Sequence, residues 1–425
     1  MAKNTLYRDG ACNRRDFMRQ GLYGIGVTAA LPLVFRDSST AVAMQALASG
    51  QETRPNRIMV VLELTGGNDG LNTVVPYRND EYYRRRPSLG IPPNAVSQIN
   101  DELGFHPNLG GLHRLYEDGR VAIVNGCGYP DPSFSHFTSM DYWHSATPNA
   151  PSSDGWVGLT ADAVRPTQQD NFIVNVSTQM SNAVRAQVHS PVVFSDPENF
   201  RRQGTDMTLM AAEELGAKMP DPDERVLGFL EGITRNAATG SALVREAVGS
   251  YATPVDYGEE VGQQTNLATV AALIAGGLPT RFYYVNYGGF DHHSRQAASH
   301  DRLLLGLGDA LRGFFEDMDR IGRADDVAMM VFSEFGRRVE QNSSAGTDHG
   351  TAGPMFIIGK PVSGGLYGAY PSLTDLDDLP GYDDGNLKFT TDFRRVYATM
   401  IDKWMGHVDT RTILKGDFPS LDVFA

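Results

Sequence analysis

Two short segments of the chain gather side chains suited to metal-assisted chemistry. In the first, Asp291, His292 and His293 close a Gly-rich turn, Asn286-Tyr287-Gly288-Gly289-Phe290, that follows the apolar run 281–285. In the second, Asp348-His349-Gly350 occupies another Gly-rich loop, ahead of the apolar run 355–358. Carboxylate oxygens suit hard divalent cations, and neutral imidazole suits zinc, iron or manganese. A mixed set is therefore the composition of a hydrolytic metal site. The same residue types also cap turns or sit solvated in loops. Glu334, close to Arg337 and Arg338, fits either a functional role or a buried salt bridge. His106, His113, His144, His189, His300 and His407 lack such company and read as structural or exposed.

Other chemistries are absent from the sequence. It has no phosphate-binding Gly-x-x-x-x-Gly-Lys loop, no Gly-x-Ser-x-Gly elbow and no His-Glu-x-x-His helix, and Gly66-Gly67-Asn68-Asp69-Gly70 does not match a dinucleotide fingerprint. With only Cys12 and Cys127, a disulfide framework and a cysteine-based metal site are excluded. The 425 residues carry 51 acidic and 37 basic side chains, a formal charge of −14. A nucleic-acid partner is not expected for so acidic a chain. Hydrophobic residues at 41% and charged residues at 21% are ordinary for a globular protein.

The elements that must position these groups follow one pattern. The apolar runs 58–62, 121–124, 281–285 and 327–332 each lead into a polar, mostly Gly-rich cluster. Continuous apolar runs suit strands covered on both faces of a parallel sheet. Between them lie helical patterns: Leu304, Leu307, Leu311, Phe314, Phe315 and Met318 recur at spacings that give one apolar face, and 267–274 and 393–404 also read as helices. The alternation predicts an open, doubly wound α/β layer fold, with ligands beyond the carboxyl ends of the strands. A polar insertion is expected near 195–260 and an acidic surface loop at 371–386.

The first fifty residues read as an address. Arg14-Arg15 precedes Phe17 and an uncharged run from Gly21 to Phe35, the pattern of a twin-arginine (Tat) signal. That run of about 15 residues is shorter than a membrane span, so no permanent anchor is expected. Ala-x-Ala sites at 41–43 and 46–48 bracket the end of a signal over 1–48, leaving one domain over 49–425. Export through the Tat translocase to the periplasm or beyond is the expected location.

Six motifs carry a family resemblance: Leu-Thr-Gly-Gly-Asn-Asp-Gly-Leu-Asn-Thr (64–73), Ser-His-Phe (135–137), Gly-Gly-Phe-Asp-His-His (288–293), Ser-Glu-Phe-Gly-Arg (333–337), Thr-Asp-His-Gly-Thr-Ala-Gly-Pro (347–354) and Asp-Phe-Arg-Arg-Val-Tyr-Ala-Thr (392–399). In this order they resemble the domain-of-unknown-function 1501 family, which is similar to the alkaline phosphatase and sulfatase superfamily. The resemblance implies a three-layer, mostly parallel, alkaline phosphatase-like α/β fold with metal at the strand ends. It matches Asp69, Asp291, His293 and His349 to metal-binding positions and Ser135, or less closely Ser133, to the nucleophile. Where the phosphatases end a strand in Asp-His, this chain has Glu334-Phe335, which puts one of two metals in doubt. The expected activity is metal-dependent hydrolysis of phosphate or sulfate esters, on a small molecule or a polysaccharide. Asp69, Asp291, His293, Glu334 and His349 would hold zinc, manganese or calcium, with Ser135 attacking and Arg337 neutralising the departing oxyanion. The alternative is a catalytically degenerate binding or partner protein.

Overall fold

The computed structural model describes residues 56–150, 152–197, 200, 240–258, 262, 264–377 and 385–424. The chain divides into two units, Met1–Gln51 and Glu52–Ala425. The expected signal over 1–48 lies outside the described residues, as does most of the polar stretch near 195–260, of which 240–250 is helical. Among the described residues no helix is long and apolar enough to cross a membrane.

The apolar runs form the central strands. In chain order these are β1 (Ile58–Thr65), β2 (Val121–Gly128), β3 (Ile173–Val176), β4 (Val192–Phe194), β5 (Phe282–Gly288), β6 (Val327–Phe332), β7 (Gly353–Ile358), β8 (Gly365–Tyr367) and β9 (Thr391–Asp392). They lie side by side as β8-β2-β7-β6-β1-β5-β3-β4, with β9 also paired to β2. The helices used below are α1 (Asp80–Arg85), α2 (Gly110–Glu117), α3 (His136–Ser145), α4 (Trp156–Val164), α5 (Leu267–Ala275), α6 (Gln296–Arg320) and α7 (Phe393–Thr399).

Side chains alternate across β1 and so enter two separate cores. Val60, Leu62 and Leu64 pack with Leu112 of α2, Leu273 of α5 and the Leu304–Met318 stripe of α6. Met59 and Val61 pack on the other face with Trp143 of α3, Trp156 of α4 and Tyr397 of α7. Burying each large apolar side chain contributes roughly 1.5–3 kcal/mol, so neither face can be left uncovered. The result is the expected three-layer α/β fold around a mostly parallel sheet.

Three local differences have physical causes. β7 runs antiparallel to both β2 and β6. Its link from β6 contains no helix, and an antiparallel return needs no crossover. The helix expected over 393–404 is α-helical only to Thr399 and continues as a π-helical turn, Met400–Trp404. In the acidic loop, Leu376–Asp377 pairs antiparallel with Asn386–Leu387.

Candidate metal centre

Strand order explains why distant motifs meet. β6, β1 and β5 are parallel neighbours, so the segments after Phe332, Thr65 and Gly288 leave the sheet side by side. Gly66 allows this crowding: its φ is +117°, and a Cβ there would stand 2.6 Å from the Asp291 nitrogen. Arg337, 1% exposed, ties the loops together. Its guanidinium donates to the carbonyls of Gly66, Gly67 (2.7 Å) and Thr347 (2.7 Å) and to Asp291 Oδ1 (2.7 Å). The residue expected to neutralise an oxyanion is thus committed to four loop carbonyls, Phe290 at 3.3 Å being the fourth, and one carboxylate.

The histidines arrive from three elements. His136 opens α3, and its Nδ1 lies 2.8 Å from Glu334 Oε1. His293 Nδ1 lies 3.0 Å from Asp348 Oδ1, and His349 Nδ1 lies 2.8 Å from the Phe134 carbonyl. Each of these oxygens is an acceptor, so in the neutral ring the proton is assigned to Nδ1 and the lone pair to Nε2. All three Nε2 atoms then face Asp291: His293 at 3.0 Å and His349 at 3.2 Å from Oδ1, His136 at 3.4 Å from Oδ2. The His293 and His349 Nε2 atoms are 3.0 Å apart. His136 Nε2 is buried and lacks the alignment of a hydrogen bond. One ligand atom each from His136, Asp291 and His349 lies within 4.8 Å of the others.

Lone pairs and a carboxylate aimed at one point repel unless a cation or proton lies between them. The arrangement therefore fits a divalent metal: imidazole and carboxylate donors, each imidazole fixed through its other nitrogen by an oxygen acceptor. Electrostatics favour this at Asp291 and His349 and oppose it at His136. Burial disfavours the Asp291 anion, but the hydrogen bond and charge of Arg337 outweigh it and hold the carboxyl well below its usual range. Burial, with the charge of Arg337, lowers the His349 pKa and keeps that ring neutral. The hydrogen bond to Glu334 raises His136, against the effect of burial.

The expected ligands do not all stand together. Asp291, His293 and His349 converge, and Glu334 joins them one shell out, holding His136 rather than facing the centre itself. Glu334 is also bound by the Gly66 N–H (2.8 Å) and the Ser333 hydroxyl (3.0 Å). Asp69 belongs to a separate buried cluster, where Arg86 Nη1 donates to Oδ2 at 2.6 Å and Gln296 Nε2 donates to the same oxygen. Burial pushes Asp69 upward, but Arg86, His300 and Gln296 together hold its pKa below the usual carboxylate value. His300 and His144, read as structural, are buried: burial takes His300 down to about 3, and His144 meets Glu63 at 3.0 Å.

Ser135 is the N-cap of α3 and is exposed, and its hydroxyl makes no capping hydrogen bond. The residue that sequence reasoning missed is His136. Its signal is the Ser-His-Phe motif at a helix start beyond a strand end. The Phe335 ring centroid lies 4.9 Å from that of His136 and 4.5 Å from that of His349, tilted against both, and makes an apolar wall to the site.

Residues 56–416 match the family described as Protein of unknown function (DUF1501). The chain belongs to the DUF1501 family. No curated protein matches the sequence. Among solved structures, the chain is similar to the PsFucS1 sulfatase from Pseudoalteromonas sp. at 10% identity and a TM-score of 0.38, covering 91% of this chain and 75% of that one. It is also similar to a phosphonate monoester hydrolase from Silicibacter pomeroyi, at 11% identity and a TM-score of 0.35, covering 87% and 76%. A protein in the alkaline phosphatase superfamily from Vibrio parahaemolyticus shows 10% identity, a TM-score of 0.31, and coverage of 78% and 71%. Likenesses this distant carry no weight for substrate or mechanism, so the chemistry of this DUF1501 protein rests on its own residues.

Proposed function

We propose that this protein is an exported, metal-dependent hydrolase of phosphate or sulfate esters. The observation that supports the reading most is the convergence of three histidine Nε2 atoms on Asp291, with each Nδ1 anchored by an oxygen. His136, Asp291 and His349 would hold one divalent ion, with His293 beside them. Such an ion supplies Lewis-acid polarisation of an ester oxygen and acidifies a bound hydroxyl.

The chain's own groups do the rest. Glu334 and the Phe134 carbonyl fix the tautomers of His136 and His349, and Asp348 fixes His293. Arg337 keeps Asp291 ionised and the loops closed on it. Ser135 presents an uncommitted hydroxyl at the N-terminus of a ten-residue helix, one residue from His136. A helix N-terminus favours an anionic oxygen, which suits a nucleophile or a bound ester oxyanion. The Arg14-Arg15 pair supports delivery through the Tat route to the periplasm or beyond.

Phe335 favours a second reading, a metal-bound protein that recognises a ligand without turnover, because its ring takes a place where a second metal would need a donor. Assay of aryl phosphate and aryl sulfate hydrolysis, with zinc, manganese or calcium added and then chelated, separates the two. Chelator-sensitive turnover with either ester class is expected. Metal retention without turnover of either class would sink the hydrolase.

A further inference from the structure

Helix α3 is tied to the sheet by two glutamate–histidine pairs, of which the metal centre uses one. His136, the first residue of the helix, meets Glu334 at 2.8 Å, just beyond β6. His144, near its other end, meets Glu63 Oε2 at 3.0 Å, close to the carboxyl end of β1. The two pairs stand about 12 Å apart along the helix axis. A ten-residue helix held near both ends is fixed in slide and in rotation, so the second pair bears on where His136 stands.

Glu63 holds a strand as well as the helix. The same Oε2 accepts from the Tyr284 hydroxyl and, at 3.0 Å, from Asn286 Nδ2, both on β5. One carboxylate oxygen thus joins the helix that bears His136 to the strand that leads into Asp291 and His293. The other oxygen, Oε1, is buried without a hydrogen-bond partner among the described residues. Asp317, a buried carboxylate in the core on the other face of the sheet, is different. Its Oδ1 accepts from Thr253 and Arg320, and its Oδ2 accepts from Tyr257. An unsatisfied buried carboxylate oxygen costs stability, and well-packed apolar residues often serve a core as well as buried charge does. Three contacts on one oxygen and none on the other set a geometry more than they stabilise the core.

On the metal-centre reading given above, we propose that Glu63, with His144 and Tyr284, is a positioning residue that sets His136 against Asp291. It touches neither of them. It locks α3 and β5 to one point, so that His136 Nε2 and Asp291 Oδ2 stand 3.4 Å apart. Donors held in place in advance lose less binding free energy to ordering when a cation is taken up.

The test is calorimetric titration of zinc, manganese and calcium, each alone, into the full chain and its variants at a temperature where all are folded. Tyr284→Phe removes one oxygen and releases β5, and His144→Phe keeps a ring and releases α3. Each should weaken binding of the ion that wild type takes by about tenfold or more. His144→Gln keeps an N–H donor for Glu63 and should restore most of that affinity. Tyr257→Phe is the control: it removes the hydrogen bond to Asp317 on the other face of the sheet. It should lower the melting temperature and leave the affinity unchanged. The proposal is overturned if either folded phenylalanine variant at 144 or 284 binds the ion as tightly as wild type does. It is also overturned if Tyr257→Phe weakens binding as much as they do, or if His144→Gln is no better than His144→Phe. Wild type that takes up none of the three ions would instead overturn the metal centre itself, and this role of Glu63 with it.

Discussion

Asp69 and Asp291 stand in Gly-rich loops after the adjacent parallel strands β1 and β5, and sequence alone gives them the same role. Their surroundings differ. Asp69 is 2% exposed and paired with a buried arginine, with Gln296 donating to the same oxygen. Asp291 is 46% exposed and faces three imidazole nitrogens whose tautomers leave them without protons to give. A satisfied carboxylate holds the fold, whereas one ringed by lone pairs suits a cation. The difference lies in which partners the neighbouring elements bring, Arg86 from just after α1 and Gln296 from α6 in one case, His136 from α3 in the other.

The largest effect should come from breaking the satisfied cluster. Asp69→Ala leaves the Arg86 guanidinium buried without its counter-charge, which costs about 3–5 kcal/mol and shows as a large drop in melting temperature. Metal bound per folded molecule should be unchanged; loss of metal at unchanged stability would return Asp69 to the metal centre. Acidification provides a second readout. The folded pKa of Asp69 is depressed, so its stabilisation is present above the unfolded carboxylate value near 4 and is lost as pH falls toward the folded one. Asp69→Asn should lack that part of the acid dependence.

A middle-sized effect is expected at Glu334, which touches the centre only through His136. Glu334→Gln keeps the shape but weakens the hold on the Nδ1 proton, and removal of such a partner typically lowers metal affinity about 10–100-fold. An unchanged affinity would show that the Glu334–His136 pair only braces α3 against the sheet. The smallest effect on stability belongs to Ser135→Ala. With no capping hydrogen bond to lose, the change should stay within about 0.5 kcal/mol, while ester turnover falls by orders of magnitude if the hydroxyl attacks. Full turnover in that variant would pass the attack to water.

The framework of the fold was legible because burial on both faces writes long apolar runs into β1, β2, β5 and β6, and α6 carries an unbroken apolar stripe. The antiparallel β7 was not legible, since direction depends on the connection and not on the strand's own residues. At the site, the Asp-His motifs at 291–293 and 348–349 identified three of the converging groups. The pairing of Asp69 was hidden because its partner Arg86 is 17 residues away in an unremarkable helix-end segment. Gln296 and His300 were equally hidden, for they extend α6 beyond its apolar stripe into polar contacts that periodicity does not register. His136 was missed because a lone histidine after a serine gives no hint that Glu334, 198 residues on, will fix its tautomer.

The central claim is that the unsatisfied Nε2 atoms around Asp291 exist to hold a metal. Elemental analysis of the purified wild type and of His136→Ala, after equal exposure to zinc, manganese and calcium and removal of excess, tests it most directly. About one equivalent of a divalent ion per wild-type chain is predicted, with less than about a tenth of that in a His136→Ala protein of unchanged far-ultraviolet circular dichroism. Wild-type protein that retains no metal, or His136→Ala protein that retains as much as wild type, would contradict the account.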